Sequence, residues 1–562
     1  MIKHKIGKIG WFLIVFVVSL SCMSMQACGN KQGNTGTHHE GSSIVWENDQ
    51  YTPTFGAPAD KIDYIDTTEM SIDSQYLIAS LKAIVNSRQP RIWSKDREWD
   101  YYDWLPNIGY GEEDLTVYTD PYDLVVKYKD EIDSVILLDR TQMDTINAAC
   151  TLAGIKPALI ASRAVYYKLL SRGVELEIIE NFEGKFENTS EVYQFIYDEY
   201  FSTGLVDRRA ICALNPAIGG CIRDYGIAAN IAFVYFDVLR EADKALMEKY
   251  LSLMPAGKSA YLGWFPTGNE GTMVALTSKY GLVTWASDYL QNAIFLSGMD
   301  RTGIMQKKSP EITLENKVYV CLTFSEGDNI GTALQQRFPL LFTYEHHGDF
   351  PVSWTISPQA YYMYPQILKW FFDTADPENT NFYTGPSGVG YNYPRSWSDE
   401  NGLAHMLTVT NELCKKTGIR IVNTWNDNSG TWYDELSESE LNTLAKYLTD
   451  VTAVVDNSPN TATEIRGNDV LFTGFTHPYS QTTDDNVNIY EGEIEAAVDV
   501  FEEFGDPQFL SIVGNPWYGE SWSMQSYEIF WEVYQNTVER YGDKVEFVTL
   551  EQYCSLLRQN QA

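Results

Sequence analysis

VYVCLTF at residues 318–324 is a run of β-branched, aromatic and other apolar side chains, long enough for one buried strand. Similar runs recur toward the C-terminus, separated by helical stretches, and begin near residues 351, 381, 420, 453, 470, 509 and 545. About eight strands alternating with helices over a segment of this length are typical of an α/β barrel. The sequence therefore predicts a TIM-barrel-like C-terminal domain over residues 309–562, with an open parallel sheet as the second architecture.

Shorter strand–helix–strand units precede this segment and predict an α/β fold for the rest of the chain. Residues 72–86 place apolar side chains at the spacing of an amphipathic helix, and 134–138 and 158–161 are typical of buried strands. No G-x-G-x-x-G sequence opens a helix there, so a dinucleotide cofactor is not predicted. The predicted domains are three small Rossmann-like units, at 43–133, 134–215 and 216–308.

The N-terminus has the layout of a secretory signal, with Lys3, Lys5 and Lys8 ahead of an apolar run at 11–18. Cys28 follows Met-Gln-Ala in a sequence that resembles a bacterial lipobox, and Cys22 is the alternative lipidation site. We therefore expect residues 1–42 to be a lipoprotein signal peptide and tether. The predicted location is the bacterial cell envelope, with the protein lipid-anchored to the outer membrane and either periplasmic or surface-exposed.

Composition narrows the classes of partner. Hydrophobic residues make up 44% of the chain and the formal net charge is −35, so a folded, strongly acidic protein is expected. Such a surface repels nucleic acid and anionic membranes, which favours a neutral ligand such as a carbohydrate. The cysteines beyond residue 28 have no zinc-like spacing and are expected to be buried free thiols, with a Cys212–Cys221 disulfide as the alternative. No metal or other cofactor is predicted.

Acidic residues and one histidine directly follow several of the predicted C-terminal strands. Carboxyl ends of barrel strands meet at one face, where catalytic residues collect. Glycoside hydrolysis needs one protonated carboxyl to release the leaving group and one carboxylate to attack carbon or activate water. The candidate catalytic residues are Glu326, Asp328, Asp427, Glu520 and His477. Each also has a structural alternative, such as a helix cap, an Asx turn or a structural histidine.

A glycine–tyrosine heptapeptide, GVGYNYP at 388–394, follows the predicted third strand of the barrel. Its glycines allow a sharp turn, and tyrosine offers both an apolar face and a hydroxyl group to a sugar. The alternative interpretation is a structural turn with tyrosines in the core, and the tryptophans fit a place in the core equally well. The candidate substrate-binding residues are Gly388, Gly390, Tyr391, Tyr393, Trp354, Trp397, Trp425 and Trp517.

The heptapeptide matches, at every fixed position, the motif of the GxGYxYP family of putative glycoside hydrolases. The resemblance extends upstream to residues 80–92, to Gly263 and Trp264, to Glu270, and to 286–292. It implies several small N-terminal domains ahead of a C-terminal motif domain, and a carbohydrate-active hydrolase. No catalytic residue is carried over from the family.

A weaker resemblance links LTFSEG at 322–327 to the first motif of polysaccharide deacetylases, which contains two aspartates where this chain has Ser325 and Glu326. It implies a deacetylase-like barrel, but the paired His-x-x-x-His ligands of that family are absent from the sequence. A first alternative function is therefore a metal-assisted hydrolase with Asp328 and His477 as ligands. A second is a glycan-binding lipoprotein without catalysis.

Overall fold

The fold is that of a computed structural model, which describes residues 41–97, 103–327, 330–331, 333–426, 434–479, 485–519 and 523–561. Within these ranges strands alternate with helices and form five sheets, in which all strand pairs but one are parallel. The predicted α/β class is thus confirmed. None of the described helices combines the length and the hydropathy needed to cross a lipid bilayer.

The first sheet belongs to the segment that begins the described chain. Its strands are β1 (Ile62–Asp66), β2 (Ile92–Lys95) and β3 (Leu115–Tyr118). Its helices are α1 (Ile72–Arg88), α2 (Trp104–Asn107) and α3 (Pro121–Lys127). The strand order is β2-β1-β3.

Helix α1 differs from the amphipathic helix that the sequence predicted. It begins where the Ser71 hydroxyl accepts a hydrogen bond from the Ser74 amide, and it ends just before Pro90. Elements pack against it on several sides, so that even Lys82 is buried. The Lys82 ammonium group lies 3.2 Å from the Asp224 carboxylate, which offsets the cost of burying its charge.

Two further parallel sheets follow. The second has the order β5-β4-β6, from β4 (Ser134–Leu137), β5 (Leu159–Ala161) and β6 (Glu177–Asn181), with α4 (Thr145–Ile155), α5 (Arg163–Ser171) and α6 (Thr189–Phe195). The third has the order β10-β9-β7-β8, from β7 (Ala210–Ala213), β8 (Ala232–Val234), β9 (Ser259–Gly263) and β10 (Leu282–Ala286), with α7 (Arg223–Ala228), α8 (Glu241–Ser252), α9 (Glu270–Lys279) and α10 (Ala293–Ser297).

The C-terminal strands follow the predicted pattern closely. They are β11 (Val318–Phe324), β12 (Val352–Thr355), β13 (Thr380–Tyr383), β14 (Ile421–Thr424), β15 (Ala453–Asp456), β16 (Glu464–Arg466), β17 (Val470–Gly474), β18 (Gln508–Gly514) and β19 (Val545–Phe547). The helices are α11 (Phe338–Phe342), α12 (Ala360–Met363), α13 (Pro365–Thr374), α14 (Glu400–Thr417), α15 (Glu438–Tyr447), α16 (Asn486–Phe504), α17 (Gln525–Tyr541) and α18 (Leu550–Gln561).

These strands divide into two sheets, so a regular TIM barrel is not confirmed. One sheet has the order β13-β12-β11-β18, with β19 also paired to β11, and the other has the order β14-β15-β17-β16, with β16 antiparallel. The sheets meet at two seams of few hydrogen bonds. At one seam the Thr384 amide donates to the Ile421 carbonyl at 3.0 Å. At the other, His477 forms a parallel bridge with Ile512.

A hydrophobic core lies between the two C-terminal sheets. It contains Tyr319 and Cys321 of β11, Val455 of β15 and Leu471 of β17, together with Leu556 of helix α18. Arg558 of α18 donates to the carbonyls of Thr452 and Asp469, which immediately precede β15 and β17. Helix α18 therefore covers the amino-terminal ends of the strands. The opposite, carboxyl-terminal ends are left to form a site.

The cysteines in the described residues are buried and unbridged, namely Cys150, Cys212, Cys221, Cys321, Cys414 and Cys554. The expectation of buried free thiols is confirmed, and the alternative Cys212–Cys221 disulfide is not formed. Burial raises the pKa of each of these thiols, so they stay uncharged at neutral pH.

Candidate active site

Glu326 lies two residues beyond β11, at the carboxyl-terminal edge of its sheet. Every residue of β11 is buried, and Glu326 itself is only 2% exposed. The Trp517 indole N–H, from the segment after β18, donates to Glu326 Oε2 at 3.4 Å. The structure thus places this predicted catalytic carboxyl in a buried position beside an aromatic ring.

The glycine–tyrosine loop, residues 388–394, is entirely buried. Gly388 has φ +83°, a conformation that favours glycine. The Trp285 indole N–H donates to the Val389 carbonyl at 3.0 Å, and the backbone of Tyr391 pairs with Thr284 of β10. The loop therefore joins the third sheet to the C-terminal sheets, and its backbone does not face an open cleft.

Tyr391 is the residue of this loop that contacts a second acid, Glu270 of α9. Its hydroxyl group donates to Glu270 Oε1 at 3.2 Å and lies 3.3 Å from the hydroxyl oxygen of Tyr393. A side chain at Gly327, next to Glu326, would collide with the Tyr391 ring, so the glycine backbone lies directly against that ring. Tyr391 thus contacts both Glu270 and the backbone beside Glu326.

Burial raises the pKa of the Tyr391 hydroxyl well above its usual value, and the neighbouring Tyr393 and Glu270 add to that effect. Tyr391 therefore stays protonated at neutral pH. Because the phenol keeps its proton at neutral pH, it can donate a hydrogen bond to the Glu270 carboxylate.

The four candidate tryptophans occupy different environments. Trp354 is fully buried, with its ring against Phe324 and Phe338, and its faces are covered by protein. Trp425 is 2% exposed and packs at right angles to Tyr391. Trp397 and Trp517 are partly exposed, so their rings can meet a ligand. The structure thus leaves two of the four tryptophans accessible at the surface.

His477 forms part of the seam between the C-terminal sheets. Its amide donates to the Ser511 carbonyl at 2.9 Å, and its Nδ1 lies 2.7 Å from Glu493 Oε1 of α16. The Tyr490 ring packs against the imidazole edge to face. These contacts orient the histidine, and its predicted catalytic role stays a prediction.

The remaining predicted residues lie outside the described part of the chain: Asp328, Asp427 and Glu520 among the catalytic candidates, and Cys22 and Cys28 at the lipidation site. Their roles stay predictions. Within the described ranges, no three His, Cys, Asp or Glu side chains are close enough to hold a metal ion.

Sequence reasoning did not select three acids that the structure places at strand ends. Glu270 begins α9 after β9, Asp288 follows β10, and Asp456 ends β15. Burial raises the pKa of Asp288 to about 6 and that of Asp456 to about 7, against opposing hydrogen bonds. Asp456 directly follows the predicted strand that begins near residue 453, whereas Glu270 and Asp288 follow β9 and β10, which were not among the predicted strands.

The site joins two segments that match known domains. Residues 208–298 match the GxGYxYP third domain, and residues 316–558 match the GxGYxYP putative glycoside hydrolase C-terminal domain. The chain belongs to the GxGYxYP family. In this GxGYxYP protein the third domain supplies Glu270 and Trp285, and the C-terminal domain supplies Glu326 and the glycine–tyrosine loop, which is the motif loop of residues 388–394.

A crystal structure of a putative hydrolase from Bacteroides thetaiotaomicron VPI-5482 has the same fold. The TM-score is 0.75 at 20% sequence identity, over 92% of this GxGYxYP chain and 99% of the other chain. No curated protein matches the chain significantly. The resemblance to polysaccharide deacetylases is unconfirmed by these comparisons.

Proposed function

We propose that this protein is a glycoside hydrolase that acts on a neutral glycan, with Glu326 as the proton donor. The observation that supports this role most is the position of Glu326, a carboxyl that is 2% exposed at a strand end beside the Trp517 indole. Removal of a carboxyl from water favours its neutral form in general. A neutral carboxylic acid is what a glycosidase needs to protonate a leaving group.

In the proposed reaction the Glu326 proton passes to the glycosidic oxygen as the bond from that oxygen to the anomeric carbon breaks. A water molecule attacks the anomeric carbon and gives one proton to a carboxylate base, which passes it to solvent, so that each sugar fragment ends with a hydroxyl group. Glu326 regains a proton from solvent before the next turnover.

Partly exposed aromatic residues of the C-terminal domain support a neutral carbohydrate as the substrate. Trp517, Trp397 and Tyr479 are partly exposed aromatic residues that can pack on the C–H faces of sugar rings. The net charge of −35 disfavours polyanionic glycans. The proposed setting is the bacterial cell envelope, through a lipid on Cys28 or Cys22.

The test is an assay of reducing-end release from a panel of neutral polysaccharides and aryl glycosides. We expect the wild-type protein to cleave at least one substrate, and Glu326→Gln to lower kcat/KM by roughly 10²–10⁴-fold. Glu345→Gln, which changes an exposed glutamate of the same domain, is the matched control and should keep wild-type activity. Thermal unfolding of each variant verifies the fold.

An active Glu326→Gln variant would contradict the assignment. If the wild-type protein bound glycans without cleaving them, its function would be glycan recognition and not hydrolysis. Release of acetate in place of reducing ends would favour the deacetylase alternative.

A further inference from the structure

Glu270 is the one acid of the third domain that contacts the motif loop through a described hydrogen bond. It is the first residue of α9, is partly exposed, and accepts a hydrogen bond from the Tyr391 hydroxyl group at 3.2 Å. The helix begins directly after the loop that follows β9, so Glu270 also lies at a carboxyl-terminal strand edge. The third domain therefore extends a carboxyl toward the C-terminal domain.

Three features of the fold favour the ionised form of Glu270. A helix N-terminus carries a partial positive charge that stabilises a carboxylate in the first turn. The Tyr391 hydroxyl group stays protonated and donates to the same carboxylate. Partial exposure to solvent adds hydration of the charge.

Glu326 occupies the contrasting environment. It is almost fully buried and contacts an indole, and its neighbour Gly327 lies against the same Tyr391 ring whose hydroxyl group holds Glu270. Pairs of carboxyls placed in such opposite environments divide the roles of acid and base in glycosidases.

We infer that Glu270 is the general base of the proposed hydrolysis, positioned by Tyr391, and that the third domain thus supplies one half of the catalytic pair. This inference rests on the proposed function. In the step, Glu270 takes the proton of the attacking water as its oxygen bonds to the anomeric carbon. Glu326 gives its proton to the departing oxygen, and both carboxyls return to their starting states through solvent.

The test uses Glu270→Gln in the full-length protein, on the substrate identified for the wild type. We expect kcat to fall roughly 10²–10⁴-fold with little change in the unfolding temperature. Glu241→Gln is the matched control, because Glu241 is the exposed first residue of α8 and its replacement removes the same helix-start charge. That control should keep wild-type activity.

Tyr391→Phe removes the hydroxyl group that holds Glu270 and leaves the ring against Gly327. We expect a smaller loss, roughly tenfold, and no further loss when it is combined with Glu270→Gln, because both changes affect one unit. Additive losses would contradict a positioning role for Tyr391.

Chemical rescue separates catalysis from structure. Sodium azide added to Glu270→Ala should restore cleavage of an aryl glycoside, with the azide nitrogen bonding to the anomeric carbon as the aryl alcohol leaves. No rescue, or wild-type products that retain the anomeric configuration, would overturn the base role, since water activation inverts that configuration. If Glu270→Gln does not fold, Glu270→Asp preserves the helix-start charge and should still lose at least tenfold in kcat.

The outcomes for the two proposals are distinct. Full activity of Glu270→Gln with an inactive Glu326→Gln would overturn this inference and leave the proposed function standing. Absence of glycan cleavage by the wild-type protein would overturn both.

Discussion

Asp456 is a buried acid whose contacts point to a structural role. It ends β15, where Thr424 Oγ1 donates to its Oδ1 at 2.9 Å and Thr461 Oγ1 donates to its Oδ2 at 2.6 Å. Its neighbour Val455 belongs to the core between the C-terminal sheets. Successive strand residues face opposite sides, so Asp456 faces away from that core. Its carboxyl anchors the segments that flank the strand.

This carboxyl makes the stability of the protein depend on pH. Burial raises its pKa from 3.8 to about 7, so the folded state binds more protons than the unfolded state between those values. Its contribution to the free energy of unfolding is complete below pH 3.8 and declines as pH rises toward 7, by up to roughly 1.4 kcal/mol per pH unit. We expect Asp456→Asn to remove this decline, as measured by urea unfolding from pH 4 to pH 8.

The control for this titration is Asp506→Asn, at an exposed aspartate before β18. It should follow the wild-type pH dependence. Equal slopes for wild type and Asp456→Asn would show that Asp456 does not titrate in this range.

At the residue scale, the sequence indicates the position of an acid when that position depends on a single strand. Glu326 lies directly beyond an unmistakable buried strand, so its place at a strand end was foreseeable. Glu270 was not, because its partner Tyr391 is 121 residues away in the chain. The sequence also did not determine whether Tyr391 and Tyr393 are buried, since glycine and tyrosine suit exposed and buried turns alike.

The motif loop packs closely between the third domain and the C-terminal domain. At Gly390 a Cβ atom would lie 2.9 Å from the Trp285 ring, including the nitrogen that donates to Val389. We expect Gly390→Ala to lower the free energy of unfolding by roughly 1–3 kcal/mol through this overpacking. The measurement is urea unfolding followed by tryptophan fluorescence.

Gly492 provides the matched control, because it lies inside α16 and a Cβ atom there meets nothing within 4 Å. Gly492→Ala should raise the free energy of unfolding by about 0.5–1 kcal/mol through helix propensity. A Gly390→Ala variant as stable as the wild type would show that the loop can yield around Trp285.

At the element scale, the hydrophobic runs predicted most C-terminal strands but not their pairing. Buried parallel strands have similar sequences, so the runs do not specify which strands become neighbours. The seams beside β13 and at His477 depend on a few hydrogen bonds between distant segments, and these divide the expected barrel into two sheets. The burial of α1 likewise depends on elements far along the chain.

The described residues form one compact unit with a core that extends across the predicted domains. Trp285 illustrates this continuity, because its ring meets Tyr51 edge to face at 5.8 Å while its N–H donates to Val389. We expect unfolding curves from far-UV circular dichroism and tryptophan fluorescence to coincide. Trp285→Phe should lower both midpoints together, because the free energy of unfolding falls by roughly 1–3 kcal/mol.

The comparison variant is Trp531→Phe, at a partly exposed tryptophan on α17. It should shift the midpoints by less. Two separate transitions in the wild-type protein, or a Trp285→Phe effect confined to one of them, would show that the domains unfold independently.

The placement of α18 also constrains how the protein is made. The core between the C-terminal sheets needs residues from β11 and from α18, which are separated by about 230 residues, or roughly ten to fifty seconds of translation. A ribosome therefore exposes β11 long before the helix that covers its sheet exists. The third domain is synthesised before β11, so nascent β11 emerges beside a segment whose residues are already complete. Chaperone dependence should accordingly be concentrated in the second half of synthesis.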